Sequence, residues 1–154
     1  MLESPERLRD DIARLLEAIR ETAGARYASV LEPGGVVFES RAEDGPAEWT
    51  VRRFLEPRLA RVFALPASLA GQGPEEDVFE GWDEDDVVLA FLNGRIALAL
   101  FGPDAAALRR GAEKPFVALA DRLLRWKPAL RVDASGRGLF FGRPRVDWIV
   151  ISRA

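Results

Sequence analysis

The sequence predicts an α/β sandwich of the α+β class, in which a central antiparallel five-stranded sheet carries one helix on one face and two on the other, with a β-rich C-terminal extension. Three observations predict it. Residues 86–102 form two nearly unbroken apolar runs hinged on Asn93-Gly94, a strand pair that must be covered on both faces. Three stretches repeat apolar residues at helical spacing, which supplies covering layers. The chain of 154 residues, 48% hydrophobic and 31% charged, has the length and composition of about one ordinary globular domain.

The elements follow in order. Ser4-Pro5-Glu6 reads as an N-cap with proline at the first helical position, and Leu8, Ile12, Leu15, Leu16 and Ile19 then share a stripe that Gly24 ends, so a helix is expected over about 5–22. RYASVL and VVFES flank the turn residues EPGG and form a first hairpin. Val51, Phe54, Leu55, Leu59, Val62 and Phe63 mark a second amphipathic helix, which Pro57 should kink or split. LPASLAGQGPEED reads as a linker, and DVFEGW, about 77–82, as a short edge strand. Asn93-Gly94 supplies the positive φ angles of a two-residue type I′ turn between strands near 86–92 and 95–102. A last helix starts at Pro103-Asp104 and carries Leu108, Phe116, Leu119, Leu123 and Trp126 on one side, with Gly111 and Pro115 weakening its middle. The division expected is a domain over 1–127 and a basic, β-rich extension over 128–154 packed on it. Leu139, Phe140, Phe141, Val146, Trp148, Ile149, Val150 and Ile151 make that extension too apolar to be disordered. The four tryptophans, Trp49, Trp82, Trp126 and Trp148, are expected in the core.

Several functions are excluded or disfavoured by residue type. With no cysteine and no histidine there is no disulfide, no Cys or His metal site, no thiolate nucleophile and no imidazole catalysis. No GxxxxGK phosphate loop occurs, and the contiguous acids Asp83 to Asp86 lack the alternating spacing of a calcium loop, so a solvated acidic turn is expected there. Catalytic, cofactor and metal residues are therefore expected to be none. The N-terminus has no apolar run, so neither a signal peptide nor a membrane span is expected there and a cytoplasmic protein is inferred.

Charge is unevenly placed. Carboxylates crowd Glu75 to Asp86, whereas arginines dominate from Arg125 onward, which points to charge-guided association. In GRGLFFGRPR, residues 136–145, Arg137, Arg143 and Arg145 interleave with Phe140 and Phe141. That pattern suits a structural strand, a protein-partner contact or base stacking on nucleic acid.

GARYASVLEPGGVVFES and DVFEGWDEDDVVLAFLNGRIALALFGPDAAALRRG, taken in their order, resemble the Roadblock/dynein-light-chain family, and especially its bacterial regulators of Ras-like gliding-motility GTPases. The resemblance implies a non-enzymatic, homodimeric regulator or scaffold that binds a Ras-like small GTPase or another signalling protein. It implies a dimer interface at Phe54, Leu55, Leu59 and Val62 with Val78 and Phe79, and leaves Arg137, Arg143 and Arg145 as candidate partner contacts. A profilin-like small-ligand sensor, which would need an internal pocket, and a nucleic-acid binder using the basic tail are the alternative readings.

Overall fold

In the computed structural model, which describes residues 4–68, 78–132 and 143–153, the expected sheet is present with helices on both faces. The elements run α1 (Pro5–Ala23), β1 (Tyr27–Glu32), β2 (Gly35–Arg41), α2 (Glu48–Leu55), α3 (Leu59–Ser68), β3 (Asp86–Leu92), β4 (Ile96–Gly102), α4 (Ala105–Trp126) and β5 (Val146–Ile151). Every neighbouring pair of strands is antiparallel, in the order β2-β1-β4-β3-β5. The β3–β4 hairpin thus lies centrally, and every residue of β4 is buried. Asn93 and Gly94 have φ values of 54° and 68°, as a type I′ turn requires.

Alternation of side chains divides the core into two layers. Val88, Ala90, Leu92, Leu98 and Leu100 meet Ile12, Leu16 and Ile19 of α1 and Leu108, Phe116 and Leu119 of α4. Val87, Leu89, Phe91, Ala97 and Ala99 face Val51 and Leu55 of α2 and Leu59 and Val62 of α3. α1 starts as its cap predicts, Ser4 Oγ accepting the Arg7 N–H at 3.1 Å, and stops at Gly24 with φ 71°.

Both prolines flagged by the sequence sit in helical layers, with opposite outcomes. Pro57 splits the second layer, because α2 gives way to a single 3-10 turn over Glu56–Arg58 before α3 begins. Pro115 does not break α4, which continues over all 22 residues. A proline inside a helix costs about 3 kcal/mol. Full burial of each large apolar side chain stabilises by about 1.5–3 kcal/mol, and Leu108, Phe116, Leu119 and Leu123 anchor α4 on either side of the proline.

The fifth strand is a correction. Residues 78–81 form a tight turn, not an edge strand, because Gly81 adopts a φ of 98° and the Trp82 N–H closes back on the Phe79 carbonyl at 3.0 Å. The edge beside β3 is taken by β5, which pairs Val87 with Ile151 through Leu92 with Val146. Ile149 and Ile151 pack under the α2–α3 layer, and the Trp148 ring meets Phe116 of α4 at 5.5 Å. The aromatic residues Phe140 and Phe141 lie outside the described residues.

α1 and α4 cross closely at Gly111, where an added Cβ would stand 2.6 Å from Ala23 Cα and 2.8 Å from the Thr22 carbonyl oxygen. Gly→Ala in a helix ordinarily gains about 1 kcal/mol. Here Gly111→Ala is expected to lose about 1–3 kcal/mol through overpacking, as measured by urea unfolding, and a stabilised variant would contradict the close crossing.

Candidate interaction surface

The acids before β3 are fasteners before they are a solvated turn. Asp85 is 2% exposed, and its carboxylate accepts two hydrogen bonds from Arg26 Nη1, each 3.0 Å, and one from Trp82 Nε1 at 3.3 Å. Arg26 also donates to the Asp44 carbonyl, and its backbone joins Phe101 and Ala42, so one residue ties β1, β4, the 42–45 turn and the acidic loop together. The Asp85 carboxylate raises the Arg26 pKa above its ordinary value despite the opposing effect of burial.

Its neighbour Asp86 works elsewhere. One carboxylate oxygen accepts the Ala105 N–H of α4 at 3.0 Å, and the other accepts the Arg153 N–H just past β5 at 2.9 Å. Asp104 caps Ala106 and Ala107, so three of the N–H groups that open α4 are satisfied by carboxylates. Asp83, Glu84 and Glu80 remain exposed. The tail does meet the acidic loop, but through Arg153, whose Nη1 also donates to the Glu84 carbonyl at 2.7 Å. Arg145 pairs instead with Asp147 at 3.1 Å, Arg143 is exposed, and Arg137 lies outside the described residues, as do Glu75, Glu76 and Asp77.

At the opposite end of the sheet, Asn93 is fully buried. Its side chain donates to the Leu130 carbonyl at 2.7 Å and accepts the Arg145 N–H at 2.8 Å, while its own N–H donates to the Arg145 carbonyl at 2.8 Å. β5 is therefore clasped at both ends, by Asn93 and by Asp86.

The residues expected at a dimer interface are turned inward in the single chain. Leu55, Leu59, Val62, Val78 and Phe79 are buried against the sheet, and half-buried Phe54 stacks near Phe79 and Trp82 with the Arg58 guanidinium 3.9 Å from its ring centre. The outer side of this layer carries Trp49, Arg53 and Pro57 in the open. Trp49 is 62% exposed, contrary to the core position expected of it, because it sits two residues before the buried Val51 on a helix that buries only Val51 and Leu55. Trp82, Trp126 and Trp148 are partly buried in the core's margins. α2 is held down by a polar chain: Tyr27 Oη donates to Glu39 Oε2 at 2.6 Å, and Arg52 Nε lies 3.0 Å from Glu39 Oε1. Burial first, and the bond to Glu39 second, push the Tyr27 pKa well above the usual phenol range.

A groove of about 290 Å³ runs between α4 and the start of β5, lined by Phe116, Val117, Ala120, Leu124 and Val146 with Arg131 and Asp121 among its polar groups. The two guanidinium neighbours of Asp121 hold its carboxyl below the ordinary range, Arg125 most strongly. Among the described residues no group of carboxylates is arranged to hold a metal ion, and no helix is long and apolar enough to cross a membrane. What the described surface offers is shape, exposed aromatic area and charge.

The architecture is that of a three-layer α/β/α sandwich built on an antiparallel sheet. Among solved structures it is shared by Myxococcus xanthus MglB, with a TM-score of 0.52 at 10% identity over 87% of this chain and 99% of that one. It is shared likewise by the gliding protein MglB of Thermus thermophilus, with a TM-score of 0.51 at 18% identity over 84% and 95%. An MglB in a tetrameric arrangement matches with a TM-score of 0.50 at 17% identity over the same shares. Neither a protein-family model nor a curated protein matches the sequence. The likeness read from the two hairpins holds for the fold: this chain has the MglB fold.

Two variants test the interior of this surface. Asp85→Ala leaves Arg26 without its buried partner and is expected to cost about 3 kcal/mol in urea unfolding; a loss within about 0.5 kcal/mol, the surface-substitution range, would show the pair to be incidental. Tyr27 is the sole tyrosine, so its ionisation can be followed alone by ultraviolet absorbance. Its folded pKa lies above its unfolded one, so its contribution is complete below about pH 10 and is lost as pH rises further. Tyr27→Phe is expected to cost about 1 kcal/mol at neutral pH and to flatten the alkaline decline; an unchanged decline would place its cause elsewhere.

Proposed function

We propose that this protein is a non-enzymatic, dimeric regulatory or scaffold protein that binds a Ras-like small GTPase or a comparable signalling protein. The observation that carries the reading is the shared fold, which spans 95–99% of the MglB chains. A chain without histidine or cysteine is consistent with binding as its task. The outer stripe of the α2–α3 layer supports the same reading: Trp49, Arg53 and Pro57 are exposed on a layer whose inner side is fixed by Val51, Leu55 and Leu59. Tryptophan and arginine are among the residue types enriched at the energetic centres of protein interfaces. The six residues expected at a dimer contact would serve in this reading as the packed base of that platform, and Arg143 and Arg145 as rim charges toward an acidic partner.

The test is calorimetric titration of the full chain with Ras-like GTPases from the same organism, each loaded with GDP or with a non-hydrolysable GTP analogue. Nucleotide-dependent binding is expected, and Trp49→Ala should weaken it by about 2 kcal/mol, the scale of an interface anchor, without lowering the melting temperature. Binding by none of the GTPases would remove the proposal; undiminished binding by the variant would move the contact off α2.

A further inference from the structure

The two helices on one face of the sheet do not span it. α1 packs chiefly on β1 and β2, and α4 on β3 and β4, so β5, the outermost strand, lies beyond α4. Strands stand about 4.8 Å apart and packed helices about 8–10 Å apart, so each helix covers about two strands and the fifth strand leaves room for one helix more.

That room has apolar walls. Side chains alternate along β5, and Val146 and Trp148 face the α1–α4 side, as does Val150 by the same alternation. Val150 is 39% exposed, and on the α4 wall Val117 is 71% exposed. Ala120 and Leu124 continue that wall toward Val146 along the groove already described. From Phe116 to Leu124 the wall runs about 12 Å at about 1.5 Å per residue, roughly two helical turns.

The charges around the groove have one sign once the ion pairs are discounted. Glu113 is held by Arg109 at 3.0 Å, Asp121 by Arg125 at 2.6 Å and Arg122 at 2.7 Å, and Asp147 by Arg145 at 3.1 Å. Arg110 and Lys114 occupy the exposed stripe of α4 that leads to Val117, while Arg131 lines the opposite end of the groove and Arg143 adjoins Pro144 there. All four are exposed, and among the described residues none of them has a carboxylate within ion-pair distance.

We infer that the groove between α4 and β5 is a docking site for an acidic amphipathic helix of a partner protein. This helix lies beside α4 as the third of its layer, with its apolar stripe on Val117, Val146 and Val150 and its carboxylates toward Lys114 and Arg131. Charge complementarity selects an acidic occupant, and length selects a helix. Over about 12 Å an extended segment turns only two side chains to one face, whereas a helix brings residues i, i+3, i+4 and i+7. Nucleic acid fits less well, because the walls are largely aliphatic where base stacking needs exposed aromatic faces. The site lies across the sheet from α2, so it stands apart from GTPase binding there and gives the rim arginines near β5 an acidic partner of stated form.

The probe is a fluorescein-labelled peptide of about 15 residues, near the length at which an isolated helix becomes viable, with leucines at i, i+3, i+4 and i+7 and glutamates on the flanks. One control scrambles its order and another replaces every glutamate by lysine. Anisotropy with the full chain at about 0.1 M salt should give a Kd of about 10–100 μM for the probe and binding at least about tenfold weaker for both controls. Val117→Glu alters an exposed side chain, so it should keep the melting curve while weakening the probe about tenfold. Lys114→Glu combined with Arg131→Glu should turn the preference toward the lysine control. Trp49→Ala should leave the probe's affinity unchanged, and Val117→Glu should leave nucleotide-dependent GTPase binding unchanged, which keeps the failure of either reading distinguishable. No saturable binding up to about 500 μM, a scrambled peptide that binds as tightly, or a Val117→Glu variant as tight as the parent would each overturn the docking site. So would three reassignments: to a second copy, by self-association that Val117→Glu abolishes; to the chain's own segment, by tighter probe binding after Phe140→Ser with Phe141→Ser; and to a membrane, by binding to anionic-lipid vesicles that Val117→Glu abolishes.

Discussion

Two-sided burial of the β3–β4 hairpin is the constraint from which the rest of the molecule follows. A strand pair with apolar residues at successive positions cannot present either face to water, so two helical layers must be supplied by sequence on both sides of it. α1 and α4 cover one face from opposite ends of the chain, and the close approach at Gly111 lets them do so as a pair. The α2–α3 layer covers the other face and tolerates a break at Pro57, since α2 and α3 each contribute separate anchors to one cluster.

The adjacent carboxylates Asp85 and Asp86 translate that sheet into a fixed perimeter. Neighbouring residues in extended chain point in opposite directions. Asp85 accordingly reaches Arg26 and Trp82 beneath the α2 side, and Asp86 reaches the start of α4 and the end of β5. Because both are committed internally, the charge that the acidic loop exposes among the described residues belongs to Glu80, Asp83 and Glu84. A partner-recognition argument from the linear run of acids would have counted the wrong groups.

Local chemistry explains what was legible beforehand. The Ser4 cap, the Asn93-Gly94 turn and the split at Pro57 each depend on residues within a few positions, and each is present as read. The features that escaped depend on distant partners. The identity of the fifth strand required knowing that Asn93 would bond Arg145 and Asp86 would bond Arg153, contacts 52 and 67 residues apart. Burial of Asp85 required Arg26, 59 residues away. DVFEGW has β-forming residues, but Gly81 and a carboxylate-anchored Trp82 turn it into a compact corner. At the candidate surface, apolar periodicity located the α2–α3 layer correctly and could not say which side of it was outward; the same residues that made the helix recognisable are the ones it buries. Trp49 was visible only as a tryptophan near a helix end, with no local signal of its exposure.

The clasps on β5 also carry a physical consequence for association. Backbone groups left open at a sheet edge are solvated in the free chain, so pairing them gains little per hydrogen bond; net contributions are about 0.5–1.5 kcal/mol each. Affinity on such an edge comes from apolar area removed with them and from not having to order the strand at the moment of binding. β5 meets the second condition through Asn93 at one end and Asp86 at the other, which hold its register before any partner arrives. It meets the first through Val150 and the Val117 groove. An edge that is ordered, apolar and unguarded would be a hazard in a chain meant to stay single, whereas β2 shows that this fold can guard an edge with a register shift and charges. The contrast within one sheet is therefore between an edge guarded by a register shift and charges at β2 and an ordered edge in unbroken register at β5.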